Sequence, residues 1–139
     1  CGKKEEAAPE ASNKKTLFTT IMEVAKDQSI RYAEGSGDRN PIHVDDSVAK
    51  MAGLPGIIIH GMCSLGLAAK GIIDKELDSD PRKVKRIAVR FAKIVLPKET
   101  LSTEAWIIEK NDKVTIVGFE TKNRSGDPVL KNGLVEIAN

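Results

Sequence analysis

Residues 57–77 constrain this chain most. The segment opens on Ile57, Ile58 and Ile59 and continues through Met62, Leu65, Leu67, Ala68, Ala69, Ile72 and Ile73, with small residues between them. From Met62 onward, plotted on a helix, the apolar positions fall on nearly every side, which is the pattern of a buried helix. A buried helix needs a cover, and the rest of the chain supplies it. Ile87, Val89 and Phe91 alternate with Ala88, Arg90 and Ala92, and residues 103–109, 114–121 and 129–137 are rich in β-branched side chains. Asn111-Asp112 and Ser125-Gly126-Asp127 mark turns between strands. The links are too short for crossover helices, so these four strands are expected to run as an antiparallel meander. Residues 17–21 read as one further short strand. The fold class implied is α+β, an antiparallel sheet wrapped around one long central helix.

Between the first strand and the central helix the chain is broken into short pieces. Residues 27–34 read as a helix, with Ile30 and Ala33 at helical spacing and Asp27 placed to cap its start. Gly35-Ser36-Gly37-Asp38 ends it. Pro41 forbids a helix through the next loop and biases Asn40 to extended geometry. Asp45 or Asp46 can cap a second short helix over 47–52, which Gly53-Leu54-Pro55-Gly56 terminates.

The first 15 residues differ in kind: they are polar and charged, with Ala, Pro and Ser and no apolar period. They read as a tail or linker, leaving 16–139 as a single domain. The chain starts at Cys1, so a lipidated cysteine ahead of a polar tether is one reading of the tail. A linker left from a longer chain is the other, and the preferred one, with a cytoplasmic location.

Composition removes several function classes. A net charge of +2 and 4% aromatic residues give no basis for nucleic-acid binding by charge or by stacking. No apolar run approaches the roughly 20 residues of a membrane span. Two cysteines, far apart, make no disulfide framework, and two histidines would need carboxylate help to hold zinc.

Chemistry concentrates in the loop Gly35-Ser-Gly-Asp38-Arg-Asn40-Pro41-Ile-His43. Gly37 permits tight backbone geometry, and Pro41 restricts the path from Asp38 to His43. A carboxylate and an imidazole held together can polarise one water between them. Adding water to a conjugated double bond needs such a pair, one group taking a proton from water as oxygen attacks Cβ and the other supplying a proton at Cα. The attack drives charge onto the thioester oxygen. Gly61, where the apolar run meets the helix, can offer a free N–H at a helix N-terminus to that oxygen.

The run from Tyr32 through Asp38, Asn40, Pro41 and His43, then Ala49, Gly53-Leu-Pro-Gly56 and His60-Gly61-Met62, resembles the MaoC-like family of (R)-specific enoyl-CoA hydratases and 3-hydroxyacyl dehydratases. The motif is matched in full and in register, and the resemblance extends from about Leu17 to the C-terminus. It implies the hot-dog fold, in which a long helix is wrapped by an antiparallel sheet. It implies catalytic roles for Asp38 and His43, a part for Asn40 in holding the loop and substrate site, and the Gly61 N–H as oxyanion donor. Syn addition of water to a trans-2-enoyl thioester is the implied reaction. No metal or redox cofactor is implied; coenzyme A or acyl carrier protein belongs to the substrate. A homodimer is implied, with a heterodimer of two hot-dog subunits as the variant.

Other residues carry less. His60 reads as a packing or hydrogen-bonding residue near the helix start. Cys63 reads as a small buried hydrophobe, and Ser64 has no third residue to complete a Ser–His–Asp triad. The basic group Arg82, Lys83, Lys85 and Arg86, with Arg90 and Lys93 beyond, either draws a phosphate-bearing or acidic carrier or forms a solvated strand edge. The rivals to coenzyme-A-linked hydration are an acyl-carrier-protein dehydratase subunit, a hot-dog thioesterase, and a non-catalytic acyl-thioester-binding module.

Overall fold

The computed structural model describes residues 14–139. The reading of residues 1–15 as a tail, and of Cys1 as a lipid site, lies almost wholly outside them. Five strands, β1 (Phe18–Glu23), β2 (Val84–Phe91), β3 (Thr100–Lys110), β4 (Val114–Lys122) and β5 (Pro128–Ala138), form one sheet. Three helices, α1 (Gln28–Ser36), α2 (Asp46–Met51) and α3 (Gly61–Glu76), come between β1 and β2 in the chain.

The sheet is antiparallel throughout, but its order is β1-β3-β4-β5-β2. The expected four-strand meander is therefore corrected. Strands β3, β4 and β5 follow one another, whereas β2 pairs with β5 at the far edge. The segment 92–99 makes this possible. Eight residues reach about 26 Å when extended, more than the ~14 Å across three strand spacings. The segment is tied down on the way, where Ile59 N–H donates to Val95 O at 2.8 Å.

Helix α3 packs against β1 and β3. Ile72 is fully buried, and with Leu101, Ala105, Val117, Phe119 and Val135 it belongs to the core between helix and sheet. Emptying such a site by Ile→Ala costs about 2–5 kcal/mol. Two threonines buried in this core satisfy each other: Thr103 and Thr121 face each other across β3 and β4, with hydroxyls 2.8 Å apart. The helix is not buried all round, as its composition led us to expect. Met62, Gly66 and Lys70, four residues apart, form an exposed stripe, and Met62 keeps 60% of its surface.

Helix α1 holds two further departures. Its buried positions are Ser29 and Ala33, one turn apart, while Ile30 faces outward. Asp27 stands at the N-cap position without a side-chain cap bond. Its backbone is not in the extended geometry that aims a cap at the next N–H groups, and its carboxylate pairs with Arg31 at 3.2 Å instead. The helix ends on Gly37, whose φ of 77° closes the last turn onto Ala33 O at 3.0 Å. That left-handed residue turns the chain into the loop carrying Asp38.

Candidate active site

Asp38 follows directly on the left-handed glycine, and its loop is knitted by short-range bonds. The Asp38 N–H donates to Ser36 Oγ at 3.1 Å, and Asp38 Oδ1 accepts from Asn40 N–H at 3.2 Å. Asn40 Oδ1 in turn accepts from Ile42 N–H at 3.4 Å and caps a 3-10 turn over Pro41–His43. The Asn40 side chain is thus used in shaping the loop that separates Asp38 from His43. One oxygen of the exposed Asp38 carboxylate, Oδ2, makes no hydrogen bond to the described residues.

His43 is buried, and its Nδ1 lies 2.8 Å from Ile58 O. A carbonyl can only accept, so Nδ1 carries a proton, and in the neutral ring Nε2 presents a lone pair. This tautomer is the one a general base requires. Ile58 is held in turn by the bond from its N–H to Ile42 O, at 3.2 Å. The 57–59 segment thereby fixes the His43 ring from behind.

His60 packs and hydrogen-bonds at the helix start, as the sequence suggested, and its partners are the two loop residues. Its ring stacks on that of His43, with centroids 3.8 Å apart and planes 21° from parallel, and Tyr32 packs at 4.7 Å. By the same argument its Nε2–H donates to Asp38 O, 2.9 Å away. The Nδ1 is buried without a partner among the described residues. Only three-dimensional stacking joins His60 to His43, so no spacing rule could have found it.

A carboxylate oxygen of Asp38 and one ring nitrogen from each histidine all lie within 4.8 Å of one another. Two hydrogen bonds of ~2.8 Å through a single water span about that distance. Coordination of one ion suits the group less well. Zinc at ~2.0–2.1 Å needs lone pairs aimed at a single point, and two stacked rings aim theirs along nearly parallel planes.

A cavity of about 280 Å³ opens beside the histidine. His43, Gly61, Ser64, Phe91, Lys93 and Leu130 are among the residues that line it. Gly61 is the first residue of α3, after His60 as N-cap. The carbonyl of His60 accepts from the N–H groups of Cys63 and Ser64, leaving the Gly61 N–H unpaired among the described residues. A methyl at Gly61 would come within 3.1 Å of the Phe91 ring, so the glycine keeps the helix start open to a ligand. The exposed Phe91 walls that opening.

The remaining sequence candidates fall away from this point. Cys63 is buried, and burial pushes its thiol up, with the Gln28 side chain and Arg31 offsetting part of the rise. That is the environment of an inert thiol. Asp45 caps α2, accepting from Ser47 N–H at 3.0 Å and Val48 N–H at 3.3 Å. Asp46 accepts from Ile57 N–H at 3.3 Å and pairs with Lys50 at 2.7 Å, tying α2 to the segment behind His43. Of the basic group, Arg82 is paired with Asp80, and Lys85, Arg86 and Arg90 lie exposed on the edge strand β2. Lys93 is different, because it lines the cavity while pairing with Asp127 at 3.4 Å.

The MaoC-like domain family matches residues 5–127. A probable enoyl-CoA hydratase 2 of Dictyostelium discoideum is 37% identical over 131 residues, covering 94% of this chain and 41% of that protein. Peroxisomal enoyl-CoA hydratase 2 of Arabidopsis thaliana is 41% identical over 102 residues, 73% of this chain and 31% of the relative. The chain thus spans less than half the length of these curated relatives. Among solved structures, unliganded R-hydratase PhaJ1 of Pseudomonas aeruginosa superposes with a TM-score of 0.77 at 26% identity, covering 89% of this chain and 79% of that one. The sheet and helix described above are thus a hot-dog fold. No helix among the described residues is long and apolar enough to cross a membrane.

Proposed function

Because the chain belongs to the MaoC-like domain family, we propose that it adds water reversibly to trans-2-enoyl thioesters, giving (R)-3-hydroxyacyl thioesters. The observation that carries this reading is the pairing of Asp38 with the fixed tautomer of His43, a carboxylate oxygen and an imidazole nitrogen lying within 4.8 Å of each other. In the proposed reaction His43 Nε2 takes a proton from a water that Asp38 also holds. The water oxygen bonds to Cβ, and the double-bond electrons move to the thioester oxygen as an enolate. The Gly61 N–H, at the positive end of α3, stabilises that charge. Collapse of the enolate takes the proton back from the pair at Cα. H and OH of one water are added on one face, which is syn addition. Nothing is oxidised or reduced, so the reaction needs no cofactor beyond the carrier on the substrate.

The carrier in this reading is coenzyme A, whose phosphates suit the exposed Arg86 and Arg90 of β2 and the Lys93 beside the cavity. An acyl-carrier-protein dehydratase is the alternative. The reading includes a dimer of hot-dog subunits, either two copies or a related pair, supported by exposed Ile87 and Phe91 on the edge strand β2. The test supplies trans-2-enoyl-CoAs of increasing chain length and the same acyl groups on acyl carrier protein, and follows loss of the conjugated thioester band. Chiral analysis of the product should give the (R) alcohol. An (S) product, or release of free thiol without hydration, would refute the reading.

A further inference from the structure

Gly61 is one of two donors on α3 that face the cavity, and the reaction above uses only the first. Ser64 lies three residues on, on the same face of the helix. It is 3% exposed and lines the cavity with Gly61 and His43. Its backbone N–H donates to His60 O at 3.1 Å, but its hydroxyl bonds to no described residue. A buried serine in a helix ordinarily turns its hydroxyl back to the carbonyl four residues earlier. Here that carbonyl belongs to His60, and the N–H groups of Cys63 and Ser64 take it. Of the side chains that share the cavity wall, Ile59, Phe91 and Leu130 offer the hydroxyl nothing.

We propose that the Ser64 hydroxyl is the second donor to the thioester oxygen, beside the Gly61 N–H. The inference rests on the hydration reading and adds a catalytic residue to it. An enolate oxygen has lone pairs for two donors, and a fixed donor acts most strongly on charge that develops in the transition state. Ser64 therefore acts on kcat more than on KM. A serine present only as a small packing residue would leave both unchanged when replaced by alanine.

The experiment compares wild type, Ser64→Ala and Ser64→Thr on crotonyl-CoA, together with their thermal midpoints. The proposal expects Ser64→Ala to lose roughly 10²-fold in kcat, to keep its KM and midpoint, and Ser64→Thr to recover most of the loss. A second readout does not depend on turnover. Crotonyl-CoA labelled with ¹³C at the carbonyl, bound to wild type, should show a carbonyl stretch lowered by two donors, and Ser64→Ala should relieve part of that shift. Unchanged kcat and an unchanged carbonyl band in Ser64→Ala would overturn the role of Ser64 and leave hydration standing. A wild type that binds crotonyl-CoA without hydrating it would overturn hydration, while the band still decides whether Ser64 is a donor. A wild type that does not bind the thioester overturns both.

Discussion

The imidazole of His60 lies stacked on that of His43, ring centroids 3.8 Å apart, while its Nε2–H donates to the backbone of Asp38. One side chain thus touches both members of the proposed acid–base pair without offering either reacting atom. His60 is a positioning residue in this account. Its removal should act through geometry, which reactions of this kind feel steeply. His60→Ala is expected to lower kcat by about 10–100-fold with the protein still folded. His60→Gln, which can keep a donor to Asp38 O, should retain more. Steady-state kinetics with circular dichroism on both variants checks this, and equal activity in His60→Ala and wild type would remove the stack from the account.

Gly61 is a second place where shape, not charge, is decisive. A Cβ there would lie 3.1 Å from the Phe91 ring. At that distance the ring need give by only a few tenths of an ångström, so Gly61→Ala should fold with a small change in midpoint. Turnover should nevertheless fall, because in the proposed site the new methyl would crowd the approach of the thioester oxygen to the N–H. Combining it with Phe91→Ala relieves the contact and should not restore activity.

Cys63 should be chemically silent. Burial holds its thiol above the ordinary value of 9.0, so little thiolate exists at neutral pH. Iodoacetamide labelling of the folded protein, read by peptide mass spectrometry, should leave Cys63 unmodified until denaturant is added. Cys63→Ala should keep full activity. Rapid labelling of the native thiol would contradict the buried placement.

The capping carboxylate of Asp45 makes a pH-dependent contribution to stability. The Ser47 hydroxyl, followed by the Val48 N–H, holds its pKa below the ordinary 3.8. A carboxylate depressed on folding contributes fully above its unfolded pKa and loses that contribution as pH falls through the folded one. Asp45→Ala should therefore melt below wild type by a near-constant amount from neutral pH down to about 5. The gap should narrow only below the ordinary carboxylate value. A gap that widened on acidification would reverse the sign and contradict the cap.

Much of this architecture is legible in the residues themselves. The apolar run fixed α3, and β-branched residues fixed the strands, because both signals are local periodicities. The position of β2 was not legible, since strand order depends on where the 92–99 link runs and not on the strand's own composition. The one-sided exposure of α3 was hidden for a related reason: Met62 and Gly66 are read as apolar or small, and only the packing decides that they face outward. At the site, Asp38, His43 and Gly61 stood out because motif spacing carries them. The His60 stack and the unpaired Ser64 hydroxyl did not, because both are relations between side chains brought together by folding.

The central claim is that Asp38 and His43 together activate water. Its most direct test follows the decay of the conjugated thioester band of crotonyl-CoA with wild type, Asp38→Asn and His43→Gln at matched concentration. Asp38→Asn keeps the shape of the side chain, His43→Gln keeps a polar group of similar reach, and each removes the capacity to take up a proton. The account predicts steady decay for wild type, losses of about 10²–10⁴-fold for each variant, and unchanged circular dichroism spectra. Near-wild-type turnover in both variants would contradict it.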